Sequence, residues 1–127
     1  MKLLSKEFIN EYIKENKIEL KSTHGKLCLP IINRIYKKML VGIKFPKIKI
    51  DTDLIIDGHH RYLASLIANT DLDTIPSSKT SATLVYDWND VIFDINDWDT
   101  EAKIRMLNEH DADNNNITLK EIIELLK

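Results

Sequence analysis

Cysteine is nearly absent from this sequence: Cys28 is the single one in 127 residues. One thiol excludes an internal disulfide framework, leaves too few thiolates for a structural zinc site, and suits a reducing compartment. Flanked by Leu27 and Leu29, it reads as a small core residue more readily than as a Cys–His nucleophile. Glycine and proline are scarce, with three of each. Neither phosphate-binding glycine fingerprint, the P-loop or the dinucleotide turn, occurs. No apolar run is long enough to span a bilayer, and Met1–Glu7 lacks the apolar core of a signal peptide. A cytoplasmic protein with no membrane partner is expected. The chain has no internal repeat and no low-complexity tract beyond Asn114–Asn116.

Charge of one sign is not in excess overall, but it is unevenly placed. Residues 1–50 carry a formal balance of +8 and residues 51–127 one of −10. Such asymmetry can mark a nucleic-acid face. Here the basic residues form no block and have little aromatic interleaving. The two halves are therefore expected to neutralise each other in the fold, and nucleic acid is the less favoured partner.

The chain is long enough for one core. Ser5 can cap a first helix with Phe8, Ile9, Tyr12 and Ile13 on one face, stopping near Asn16. Ile18–Ser22 alternates as a half-exposed strand would, and Thr23–Lys26 is a polar loop. Pro30 suits the first turn of a second helix, with Ile31, Ile32, Ile35, Tyr36, Met39 and Leu40 inward and Gly42 as a left-handed cap. Residues 45–56 read as a β-hairpin turning at Asp51–Asp53. A further helix runs to about Asn69, followed by a polar loop over Thr70–Thr80. Ser81–Tyr86 reads as a strand and Val91–Asp94 as a shorter apolar segment. Two helices close the chain. One opens at Asp99–Glu101 with Ala102, Ile104, Met106 and Leu107 available to pack, and the other opens at the capping box Thr118/Glu121. Asp111–Ile117 resembles the start of a calcium loop, but positions six and twelve hold Asn116 and Ile122 instead of glycine and glutamate. It reads as a helix–helix connection. The expected class is α+β: a single small domain over 1–127, with a mixed sheet, helices packed on it and a helical C-terminal tail. The tail's Trp88 and Trp98 suit either a core or a protein partner, self-association included.

The stretch that organises the chain is Leu54-Ile55-Ile56-Asp57-Gly58-His59-His60-Arg61-Tyr62-Leu63-Ala64. An apolar strand meets an amphipathic helix through an acid, a glycine, two imidazoles and a guanidinium. Glycine reaches positive φ cheaply and lets a ligand approach the backbone. The helix start offers unpaired N–H groups and a positive dipole end, which suit an anion such as phosphate. His59, His60 and Arg61 are expected to add donors aimed at the same anion. Adjacent histidines point apart, and His24 and His110 can join them only through the fold, so no metal site is expected.

These residues resemble the signature of the ParB/sulfiredoxin superfamily. The likeness covers roughly residues 18–86 and leaves 87–127 as an extension with two helices. Partition ParB proteins read Gly-Glu-Arg-Arg-x-Arg-Ala at this turn and bind CTP; Gly58, Arg61 and Ala64 match, while His60 and Leu63 replace arginines. Those proteins also carry a helix-turn-helix region that has no counterpart here. Sulfiredoxins read Gly-Cys-His-Arg; Gly58, His60 and Arg61 match, but His59 stands at the catalytic cysteine. The Asp-Gly-His-His-Arg form is most similar to the ParB-like free serine kinases and to ParB-like nuclease domains.

The resemblance implies a nucleotide (ATP, ADP or CTP, with Mg²⁺) bound through its phosphates by Gly58, His59, His60 and Arg61. It implies phosphoryl transfer to a small hydroxyl compound or nucleotide hydrolysis, with Asp57, His59 and His60 as the catalytic candidates. Asp57 holds Mg²⁺ or acts as base on this reading; it serves equally well as a helix cap. The Thr23–Lys26 loop becomes either a wall of the site or an ordinary turn. Two further readings stand beside this one. A nuclease would use the same histidines on a phosphodiester, against the repulsion of the acidic second half. A non-catalytic module would keep the turn for sensing nucleotide or holding a partner protein.

Overall fold

The first helix, α1 (Lys6–Glu15), starts where the Ser5 side chain accepts the Phe8 N–H. It stops at Asn16, whose backbone and side chain both donate to the Tyr12 carbonyl. The computed structural model describes residues 3–127. Met1 and Lys2, which open the segment read for a leader, lie outside the described residues. The buried stripe of α1 is narrower than the spacing suggested: Ile9 and Ile13 are buried, while Phe8 is exposed.

Residues 18–22 do not form the expected strand. Lys21 and Ser22 make only isolated bridges, to Leu54 and Tyr86. Side chains take the place of a neighbouring strand at Leu20, whose N–H donates to Tyr62 Oη and whose carbonyl accepts from Trp88 Nε1. Strand β1 (Lys26–Cys28) follows and leads directly into α2 (Leu29–Leu40), with Pro30 in its first turn. Gly42, at φ +91°, ends this helix as expected. Its N–H donates to the Met39 carbonyl, and that of Ile43 to Lys38, the paired bonds of a left-handed C-terminal cap. Ile32 and Met39 face the core; Leu40, expected inward, is largely exposed.

The hairpin forms from β2 (Ile48–Asp51) and β3 (Leu54–Asp57), with Thr52 at positive φ in the turn. Helix α3 (His59–Ala68) follows, ends at Asn69, and packs chiefly along α2. The segment read as a polar loop contains β4 (Thr74–Pro76), which adds in parallel to β2. Ser81–Tyr86, read as a strand, is a turn and an irregular segment with one bridge at Tyr86, and Leu84 and Val85 are exposed. Alternation makes a strand only where a neighbour offers its ladder, and here only Ser22 does. A single 3₁₀ turn (Trp88–Asp90) leads to β5 (Ile92–Asp94), which pairs in parallel with β1. The expected mixed sheet is thus divided: β3-β2-β4 is mixed, and β1-β5 is a separate parallel pair.

Helices α4 (Glu101–Asn114), capped by Thr100, and α5 (Leu119–Leu125), opened by the Thr118/Glu121 capping box, complete a small α+β fold. Asp111–Asn114 is the last turn of α4 and Asn115–Ile117 belongs to the connection to α5, so the sequence likened to a calcium loop is split between the two. The main core runs from Leu4 to Phe93 and takes in Trp88, Val91 and Phe93. Strand β5 and the turn before it, which lie beyond residue 86, thus belong to the main core. A second, smaller core joins Ile43, Ala112 and Ile122, and seats the α4–α5 hairpin on the connection after α2. No helix among the described residues is long and apolar enough to cross a membrane.

Candidate ligand-binding cleft

Strand β3 delivers Asp57 to the surface, and Gly58 then turns the chain at φ +101° into α3. A Cβ at Gly58 would press on Ile48 Cγ2 and lie 2.9 Å from Arg61 Nη2. Only glycine meets both demands, the positive φ and the close approach. Gly58 is also the N-cap residue, and no side chain caps this helix. Asp57, offered as a cap, does not act as one. Its carboxylate is two-thirds exposed and lies 3.5 Å from Arg61 Nη2. The first N–H groups of α3 therefore lack a side-chain acceptor.

The two histidines turn away from the role expected of them. His59 is fully buried, and its Nε2 accepts the Thr23 N–H at 3.0 Å. His60 Nε2 accepts the Cys28 N–H at 2.9 Å. An imidazole nitrogen that accepts carries no proton, so both rings hold their single proton on Nδ1 and are neutral. Burial, reinforced by the neighbouring His24, lowers His59 to about 3 and His60 to about 4. Neither ring supplies positive charge to an anion, and neither Nε2 lone pair is open to take a substrate proton. Their work is to fasten the turn to the 23–28 segment. Of the Thr23–Lys26 loop, left open as wall or turn, His24 lines the cleft and stacks on His59 with ring centroids 4.0 Å apart. Trp98 meets His60 edge-on at 5.7 Å. His59 Nδ1 is buried without a hydrogen-bond partner.

Arg61 reaches back along the turn, donating from Nη1 to the Pro46 carbonyl at 3.0 Å. It keeps part of its surface on the cleft. Asp57, Gly58, His59, His60 and Arg61 all border one cavity of about 530 Å³ between α2, the start of α3 and α4. Its apolar walls come from Ile31 and Ile35 of α2, from Phe45, and from Ile104 and Leu107 of α4.

Three cleft cations escaped the sequence reading: Arg34, Lys38 and Lys103. Arg34 and Lys38 stand one turn apart on α2, beside Ile31 and Ile35, and that spacing is the signal that could have shown them. Arg34 grips Asp97 through both oxygens (2.6 and 2.9 Å) and Asp99 at 2.9 Å. Burial opposes the Arg34 charge, but the two carboxylates outweigh it and raise its pKa; the hydrogen bonds from Arg34 hold Asp97 below the usual carboxylate range. The buried Lys38 pairs with Asp111 at 2.7 Å. Cys28 is fully buried, with Sγ 3.4 Å from the Asn96 carbonyl, as a core residue would be. Among the described residues, no three His, Cys, Asp or Glu side chains converge to hold a metal ion.

Set against protein-family models, curated proteins and solved structures, the chain matches none of them.

Proposed function

We propose that the cleft at the start of α3 binds a phosphorylated small molecule, with a nucleotide as the best-fitting class. One observation carries this reading: a helix start with no side-chain cap opens into a cavity of about 530 Å³ that also holds Arg61 and Lys103. That size lies within the range of roughly 300–1,000 Å³ usual for small-ligand sites. The N–H groups of His59, His60 and Arg61 would hold phosphate oxygens, and Arg61 would spread the charge. Ile31, Ile35, Phe45, Ile104 and Leu107 supply an apolar wall for a base or similar flat group. The likeness of Asp-Gly-His-His-Arg to ParB-like free serine kinases supports the same class of ligand.

Mg²⁺ fits this site in one respect. Asp57 offers a single exposed carboxylate beside the phosphate position, and Mg²⁺ is commonly held by one or two carboxylates together with the ligand's phosphates. The ion would neutralise phosphate charge. His59 and His60 position the turn, so Asp57 is the one exposed group among the catalytic candidates that can take a proton. This favours binding over phosphoryl transfer and makes nucleotide sensing the second reading. A nuclease is less well supported, because residues 51–127 carry a formal balance of −10, which would repel a polyanion. The single buried thiol suits a cytoplasmic setting.

Thermal unfolding with ATP, ADP and CTP, each with and without Mg²⁺, tests the reading. A ligand at 100 times its dissociation constant stabilises by about 2.7 kcal/mol. No rise with any of the three at millimolar concentration rejects the proposal. Where a rise is seen, phosphate release then separates enzyme from sensor.

A further inference from the structure

Helix α4 is fastened very differently at its two ends. At its C-terminal end Ala112 is buried against Ile43 and Ile122. Asn115 there exchanges two hydrogen bonds with the Lys44 backbone, at 2.7 and 3.0 Å. No residue of α4 other than Ala112 is buried. The segment leading into α4 is held at the cleft by Asp97 and Asp99 on Arg34, whereas Asp111 on Lys38 adds to the C-terminal anchor beside Ala112. Both cations are on the cleft wall, and both are already paired with carboxylates of the chain itself.

A guanidinium that holds a carboxylate through two oxygens has the geometry to hold a phosphate in the same way. We infer that Asp97, Asp99 and Asp111 are internal competitors of the anionic ligand: a bound phosphate displaces Asp97 and Asp99 from Arg34 and frees the start of α4, which pivots on its Ala112 end. This rests on the phosphate-binding reading of the cleft. It adds that the Asp97 and Asp99 pairs lower affinity and that ligand and these carboxylates exclude one another at Arg34. Ligand occupancy is thereby converted into movement of the C-terminal hairpin, the coupling that a sensor requires.

The test uses the full chain, titrated calorimetrically with inorganic phosphate and with ADP. Wild type is compared with Asp97→Asn/Asp99→Asn and with Glu109→Gln/Glu124→Gln. The second pair removes the same charge from exposed positions away from the cleft. The Asp97/Asp99 variant should bind at least about fivefold tighter than the charge control. In wild type, saturating ADP should speed amide hydrogen exchange over residues 101–107, a readout that needs no variant. Affinity equal to that of the control, or slower exchange in α4 on binding, overturns the inference and leaves the binding reading standing. No binding of either probe by any of the three chains overturns both.

Discussion

His60 and Cys28 are joined by a 2.9 Å hydrogen bond in which the imidazole Nε2 accepts the backbone N–H. The bond ties the first turn of α3 to the junction of β1 and α2. His59 does the same for Thr23. This explains why imidazoles stand here among other basic residues: lysine and arginine cannot accept a hydrogen bond, and neutral histidine can. Replacing His60 by leucine would strand the buried Cys28 N–H. The loss should be about 2–3 kcal/mol in urea unfolding. Glutamine, whose side-chain oxygen accepts, should recover part of it.

Burial of the same two rings sets the acid sensitivity. The folded pKa values of His59 and His60 lie near 3 and 4, below the free value of 6.5. Below pH 6.5 the unfolded chain takes up protons that the folded chain refuses, so stability rises with pH across this window and is lost as pH falls towards 4. Each histidine lowers stability by about 1.4 kcal/mol per pH unit there. Denaturation midpoints at pH 7.5, 5.5 and 4.5 should fall in that order. The fall should be shallower in the His60→Gln variant.

Gly58 and Gly42 both have positive φ, but only Gly58 has a neighbour in the way. Gly42→Ala meets nothing within 4 Å, and its loss should be about 1 kcal/mol from backbone strain alone. At Gly58 the added methyl also presses on the fully buried Ile48. Gly58→Ala should lose about 2–4 kcal/mol. Equal losses by chemical denaturation would contradict the packing described for the turn.

Lys38 and Asp111 form the most buried of the ion pairs, at 2.7 Å. Lys38→Met alone leaves the carboxylate without its partner and should lose about 2–4 kcal/mol, whereas Lys38→Met/Asp111→Leu should lie near wild type. A double-mutant cycle in urea measures the difference. Additive losses would mean that the pair is not coupled.

Much of the frame was legible in the sequence because its signals are local. Ser5, Gly42, Asn69, Thr118 and Glu121 mark helix ends through bonds made within a few residues, and the structure places them there. The hairpin and the glycine turn at 58 are local in the same sense. Strands β1, β4 and β5 were not legible, since each is three residues long and exists only because a distant partner lies beside it. The reverse holds for Ser81–Tyr86, where a strand-like pattern found no ladder. At the cleft, the sequence placed His59, His60 and Arg61 at one turn but could not show which ring nitrogens face backbone. Nor could it show that α4, some forty residues on, closes the opposite wall with the partners of Arg34 and Lys38.

The central claim is that the uncapped first turn of α3 holds phosphate. Backbone amide NMR shifts, followed as ADP is added to the full chain, test it at single-residue resolution. The largest changes should fall on the N–H groups of Gly58, His59, His60 and Arg61, and the same titration of Arg61→Ala should need a higher ADP concentration to reach them. Unchanged amides at these four residues, or changes centred elsewhere on the molecule, would contradict the account.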